Sequence, residues 1–135
     1  MRYLTIGEIL WVAKKWVCDY KLRDKERLDY LVEAVGGTWG DIELYPTLAK
    51  KAAVYAHHII TGHIFMNGNK RIGITCALWF LVKNGCTLRL SIDDSIVWVG
   101  YRIADRTITD LDIIADYMKL WIRTPVGEDD AHGSD

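Results

Sequence analysis

The run KRIGITCALWFLVKNG, residues 70–85, most constrains what this chain can become. Read at 3.6 residues per turn, it is apolar on nearly every face, and Asn84-Gly85 supplies a stop signal. A helix apolar all round is stable in water only when other elements cover it, so the spacing predicts a central helix wrapped by the rest of the chain.

The rest of the chain offers such cover. Residues 5–20 carry Leu10, Ala13, Trp16 and Val17 at helical spacing, and Thr5 followed by Glu8 is a capping-box pattern. Residues 23–35 read as a shorter helix stopped by Gly36-Gly37. Residues 47–62 place Leu48, Ala52, Tyr55 and Ile59 on one stripe, with Pro46 opening the helix. Residues 93–106 and 110–123 are two more amphipathic helices with acids in their first turns. Between them, residues 36–46 are turn-rich and form a loop or short flap, and CTLRLS reads as a short strand or extended link. About six helices and little strand define an all-α fold, a compact single-domain bundle spanning residues 1–123. Residues 124–135, TPVGEDDAHGSD, are polar and are expected to be a disordered tail.

Composition removes several classes of function. A net charge of -1 over 135 residues gives no basic field for direct nucleic-acid binding. No apolar run approaches the ~20 residues of a membrane span. MRYLTIGEIL lacks the features of a secretory leader, so a cytoplasmic location is expected. Cys18, Cys76 and Cys86 follow no C-x-x-C spacing, which argues for free thiols rather than a disulfide framework or a zinc site.

The entry to the central helix breaks a rule that the chain follows elsewhere. A helix N-terminus exposes free N–H groups and the positive end of the macrodipole, so acids belong there. Asp93, Asp94, Asp110 and Asp112 obey, whereas Lys70 and Arg71 do the reverse. Each misplaced cation costs about 0.3–1 kcal/mol. Two cations at such a place are either a solvated turn or half of an anion site, where N–H groups, ammonium and guanidinium converge on phosphate. Gly68 permits a tight turn and close approach of a ligand, Asn69 can cap the helix or donate to an oxyanion, and His63 on the incoming loop is a candidate general base. Phe65 reads as an apolar plug that anchors the loop, and His57 and His58 match no metal-ligand spacing.

Taken together, HIFMNGNKR resembles the signature of the Fic/Doc superfamily, H-x-F-x-[DE]-[GA]-N-[GK]-R. The lysine at its eighth position is more like the Doc (death-on-curing) branch than the adenylylating Fic enzymes. YLTIGEIL, ALWFLVKNG and DLDIIADYMKLW are similar to that branch as well. The resemblance implies a toxin of a toxin–antitoxin module that transfers the terminal phosphate of ATP to a threonine of elongation factor Tu and stops translation. It implies a Phd-like antitoxin as inhibitor. His63 would then deprotonate the target hydroxyl, Phe65 would anchor the loop, and Gly68, Asn69, Lys70 and Arg71 would hold the nucleotide phosphates. Residues 39–45 would form a target-docking edge.

The chain departs from that pattern at Asn67, where the family has the carboxylate that helps to hold Mg²⁺. An amide keeps one oxygen and loses the charge. Activity is therefore expected to be weakened, metal-independent or absent. A nucleotidyl transferase and a non-catalytic binding module of the same fold are the competing readings. TPVGED does not match the self-inhibitory [ST]-x-x-x-E-[GN] helix of many Fic enzymes, so inhibition is expected from a separate chain.

Overall fold

The computed structural model describes residues 1–89 and 91–123. Local capping starts most of its helices. Thr5 Oγ1 accepts from the Glu8 N–H at 3.1 Å and Glu8 Oε1 accepts from the Thr5 N–H at 2.9 Å, a complete capping box opening α1 (Ile6–Trp16). Asp24 caps α2 (Lys25–Ala34), Thr47 caps α3 (Leu48–Gly62) and Asp110 caps α6 (Leu111–Trp121). No side chain caps α4 (Asn69–Lys83) or α5 (Asp93–Ala104), but α5 carries Asp93 and Asp94 in its first turn. The strands are two residues each. β1 (Thr38–Trp39) and β2 (Ile42–Glu43) form a hairpin, and β3 (Thr87–Leu88) pairs antiparallel with β4 (Ile122–Arg123). The fold is all-α, with six helices among the described residues.

At the centre stand two helices rather than one. α3 packs along α4, α6 covers α3, and α1 and α5 flank α4. The pair approaches closely because Gly73 has no side chain; a Cβ there would lie 2.9 Å from Ile60 Cγ1 and 3.1 Å from the Ala56 carbonyl oxygen. The expectation of one apolar stripe on α3 is corrected. Ala49, Ala52, Ala53, Ala56 and Lys51 are buried with Val54, Tyr55, Ile59 and Ile60, so α3 is enclosed on nearly all sides. Small residues carry little hydropathy signal but let neighbours pack tightly. α4 buries Ile72, Ile74, Cys76, Phe80 and Leu81, while Val82 is exposed and Leu78 and Trp79 are half-buried. Its apolarity exceeds the cover that the described chain gives it.

Several boundaries also move. α1 ends at Trp16 rather than residue 20, because Val17 turns extended and the chain leaves to pair with the loop before α4. Pro46 precedes the cap Thr47 instead of opening α3. The last helix ends at Trp121, and residues 122–123 become β4, the partner of the extended link after α4. Residues 36–46 hold the β1–β2 hairpin, whose turn residue Gly40 has φ +60°. The polar segment 124–135 lies outside the described residues.

Candidate active site

The loop from His63 to Gly68 is fastened on both sides. Ile64 O accepts from the Arg23 and Asp24 N–H groups at 2.7 and 3.1 Å, and the Met66 N–H donates to Lys21 O at 2.9 Å. These bonds lay the loop against the α1–α2 connection. Phe65 is buried at 1% exposure, meets Tyr20 edge-on with ring centroids 5.9 Å apart, and bridges to Leu22. Asn69 closes the loop from the helix side. Its carboxamide oxygen accepts from the Phe65 N–H at 2.9 Å and its NH₂ donates to Phe65 O at 2.8 Å. Of the two roles open to Asn69, capping is not the one taken: Gly68 is the N-cap, and Asn69 is the first helical residue, its side chain turned back onto the loop.

Gly68 is required twice over. Its φ is +79°, and a Cβ would stand 2.7 Å from Val17 Cγ2. Valine is stiff at χ1, so its methyl does not swing aside freely. Gly68→Ala is expected to destabilise the protein by about 1–3 kcal/mol, seen as a lower thermal midpoint, and to displace the loop. A variant melting with the parent would show that the turn can relax around Val17.

Between these fastenings, His63 and Asn67 face solvent. His63 ends α3 in the left-handed region, φ 47° and ψ 50°, and no described residue hydrogen-bonds its ring. Of the other described imidazoles one is held and one is not: His57 Nδ1 is buried with no hydrogen-bond partner among the described residues. His58 Nδ1 lies 3.1 Å from Val54 O, and burial, before any charge effect, holds both His57 and His58 below the usual histidine value.

The two cations follow at once. α4 begins with no side-chain cap and no acid in its first turn, so its leading N–H groups are unclaimed among the described residues. Lys70 and Arg71 are exposed there and join no ion pair among those residues. Aromatic faces hold them instead: Lys70 Nζ is 5.0 Å from the Tyr101 ring centroid and Arg71 Cζ is 5.4 Å from that of Trp16. α3 gives an internal comparison. It also carries adjacent lysines near its start, but Lys50 pairs with Asp112 and Lys51 with Glu43. Among the described residues, one such cation pair is thus neutralised by carboxylates and the other is not.

Beside the cations runs a groove of about 450 Å³, walled by Trp16 of α1, Ile74 and Leu78 of α4, and Val97 and Tyr101 of α5. Trp16 Nε1 donates to Thr75 Oγ1 at 2.7 Å across its floor. Of the chain's six tryptophans, Trp121 alone is fully buried, while Trp11, Trp16, Trp39 and Trp98 are exposed. Sequence reading of this site missed Trp16, Thr75 and Tyr101, because α1 and α5 come together over α4 only in the fold.

The donor set suits an anion better than a metal. Mg²⁺ is a hard ion usually held by one or two carboxylates with substrate oxygens. The loop offers the neutral Asn67 amide oxygen and no carboxylate, and the described residues contain no metal-ready cluster of three His, Cys, Asp or Glu.

Fold and site together define a small helical domain with an anion-receptive entrance to a central helix. The chain belongs to the Fic/DOC family, whose model matches residues 3–81. It is 34% identical over 113 residues to "Toxin Doc" of Mycolicibacterium smegmatis (strain ATCC 700084 / mc(2)155), covering 83% of this chain and 82% of that protein. No described helix is long and apolar enough to cross a membrane.

Proposed function

We propose that the protein is a Doc-like toxin that transfers the terminal phosphate of ATP to a threonine of a translation factor, with elongation factor Tu the expected target. The observation that carries this reading is the N-terminus of α4 without a side-chain cap, bearing two cations that have no carboxylate partner among the described residues, behind a loop whose imidazole has none there either. Arg71 supplies a planar fork for phosphate oxygens and Lys70 a point charge. The N–H groups of the first turn add donors that need no reorganisation. Asn69 keeps the loop in register through Phe65. His63 takes the proton of the attacking hydroxyl at a free ring nitrogen. Transfer then rests on positioning and charge neutralisation.

The face of α4 that the described residues leave uncovered suits the inhibitor. An amphipathic antitoxin helix laid in the groove would cover Leu78, Val97 and Tyr101 as a seventh helix of the bundle. A Phd-like antitoxin is the partner that the resemblance implies, and a relative named as a toxin is in keeping with an antitoxin of some kind.

One observation favours a second reading. Asn67 leaves the loop without its acid, which a non-catalytic module of the same fold would tolerate. A transfer assay separates the readings. Elongation factor Tu, Mg²⁺ and γ- or α-labelled ATP are incubated with the protein. Label from the γ-position is expected. Label from the α-position would replace phosphoryl with nucleotidyl transfer. Nucleotide or antitoxin binding without any label would favour the binding module.

A further inference from the structure

We propose that Lys51 is a positioning residue whose buried ammonium ties the β1–β2 flap to α3. Lysine is almost never fully buried unless paired. Lys51 is 0% exposed and is the one buried charged residue among those described. Its Nζ donates to Glu43 Oε1 at 2.8 Å and to the Tyr45 carbonyl oxygen. Neither partner belongs to the helical body. Glu43 is the last residue of β2, and Tyr45 lies in the link from β2 to α3.

The chemistry of that choice is informative. An apolar side chain of similar length would fill the same space without the desolvation penalty of a buried ion. The lysine therefore does something that packing alone does not. Lys50, its neighbour, pairs with the exposed Asp112 and so joins α3 to α6, two elements that already pack together. Lys51 joins α3 to an element with little else to hold it. The flap strands are two residues each, and an isolated hairpin of that size is not stable in water. Its apolar side chains Trp39 and Ile42 are 82% and 73% exposed, so they give no packing in return. Inside the flap, the Leu44 N–H donates to Gly37 O at 3.0 Å, a bond that survives only while the flap keeps its shape. The ammonium thus fixes the base of a hairpin whose exposed edge is the candidate docking edge. That last step rests on the proposed function; the tether does not.

The test uses the full chain with Lys51→Met and, separately, Glu43→Ala, which breaks the same tie from its half-exposed end. Hydrogen exchange of the amides in residues 38–44 is read by mass spectrometry, with residues 52–60 of α3 as the folding control. Flap exchange is expected to rise at least about tenfold in both variants while the α3 control is unchanged. Unchanged flap exchange in both overturns the tether. In the transfer assay, KM for the protein target is expected to rise about tenfold with kcat and the KM for ATP retained, which loss of general packing would not produce. A loosened flap with unchanged target KM overturns the link to docking. A parent that transfers nothing overturns the proposed function, and the exchange data still decide the tether.

Discussion

His63→Asn is expected to lower phosphoryl transfer by about 10²–10⁴-fold, the usual contribution of a positioned general base. Asparagine is the better probe than alanine. His63 sits at φ 47°, in the left-handed region that asparagine tolerates and alanine resists. The side chain is exposed and no described residue hydrogen-bonds it, so its removal leaves no buried partner unsatisfied. The thermal midpoint should therefore stay within a degree or two of the parent's. Nucleotide affinity should change less than about twofold, because in the proposed function the anion would be held by Lys70, Arg71 and the start of α4 rather than by the imidazole. The measurement is kcat for γ-label transfer beside calorimetric nucleotide binding, in the parent and in an Asn67→Asp background. Equal kcat with and without the imidazole would remove His63 from the chemistry. A loss of nucleotide binding with kcat preserved at saturation would make it part of the anion site instead.

What could be read in advance was local. The capping box of α1 involves residues three apart, and Asn84-Gly85 marks the end of α4 within one residue. The mismatch between cations and helix polarity is likewise written within a few residues of sequence, so Lys70 and Arg71 were visible without a structure. What was hidden depends on partners distant in the chain. Lys51 looks like an ordinary surface lysine until β2 brings Glu43 over it. β4 has no strand signature of its own and exists because Leu88 and Ile122 meet. Asn69 illustrates the middle case. Its type was flagged, but capping and back-bonding to Phe65 are equally good local chemistry, and the pinned loop chose the second. The groove was the least legible feature, since a helix apolar all round predicts full burial and α4 is left partly bare.

Asn67→Asp is expected to raise Mg²⁺-dependent transfer by about 10–100-fold, because the loop, which now offers a hard divalent cation only a neutral amide oxygen, would offer it an anionic one. The substitution is close to free of structural side effects. Asn67 is exposed, and no described residue hydrogen-bonds its side chain, so no contact within the fold is lost. It also precedes Gly68, the N-cap of α4, where a negative charge interacts favourably with the helix dipole by about 0.3–1 kcal/mol. Stability should therefore hold or rise slightly, which separates an effect on the reaction from an effect on folding. The gain should vanish when the metal is chelated, and the parent should respond less to the same treatment. If the aspartate variant matches the parent at every Mg²⁺ concentration, residue 67 does not limit the reaction and the cations alone carry the nucleotide. The Asn67-Gly68 step adds a consequence for handling. Asparagine before glycine deamidates readily, through attack of the Gly68 amide nitrogen on the Asn67 carboxamide, loss of ammonia and reopening by water. Reopening gives isoaspartate as well as aspartate, both 1 Da heavier, so aged samples should drift toward the activity of the aspartate variant only in proportion to the aspartate share, resolved from isoaspartate by peptide chromatography before mass spectrometry. An activity that rises with age and no mass change at that residue would separate the two and exclude this route.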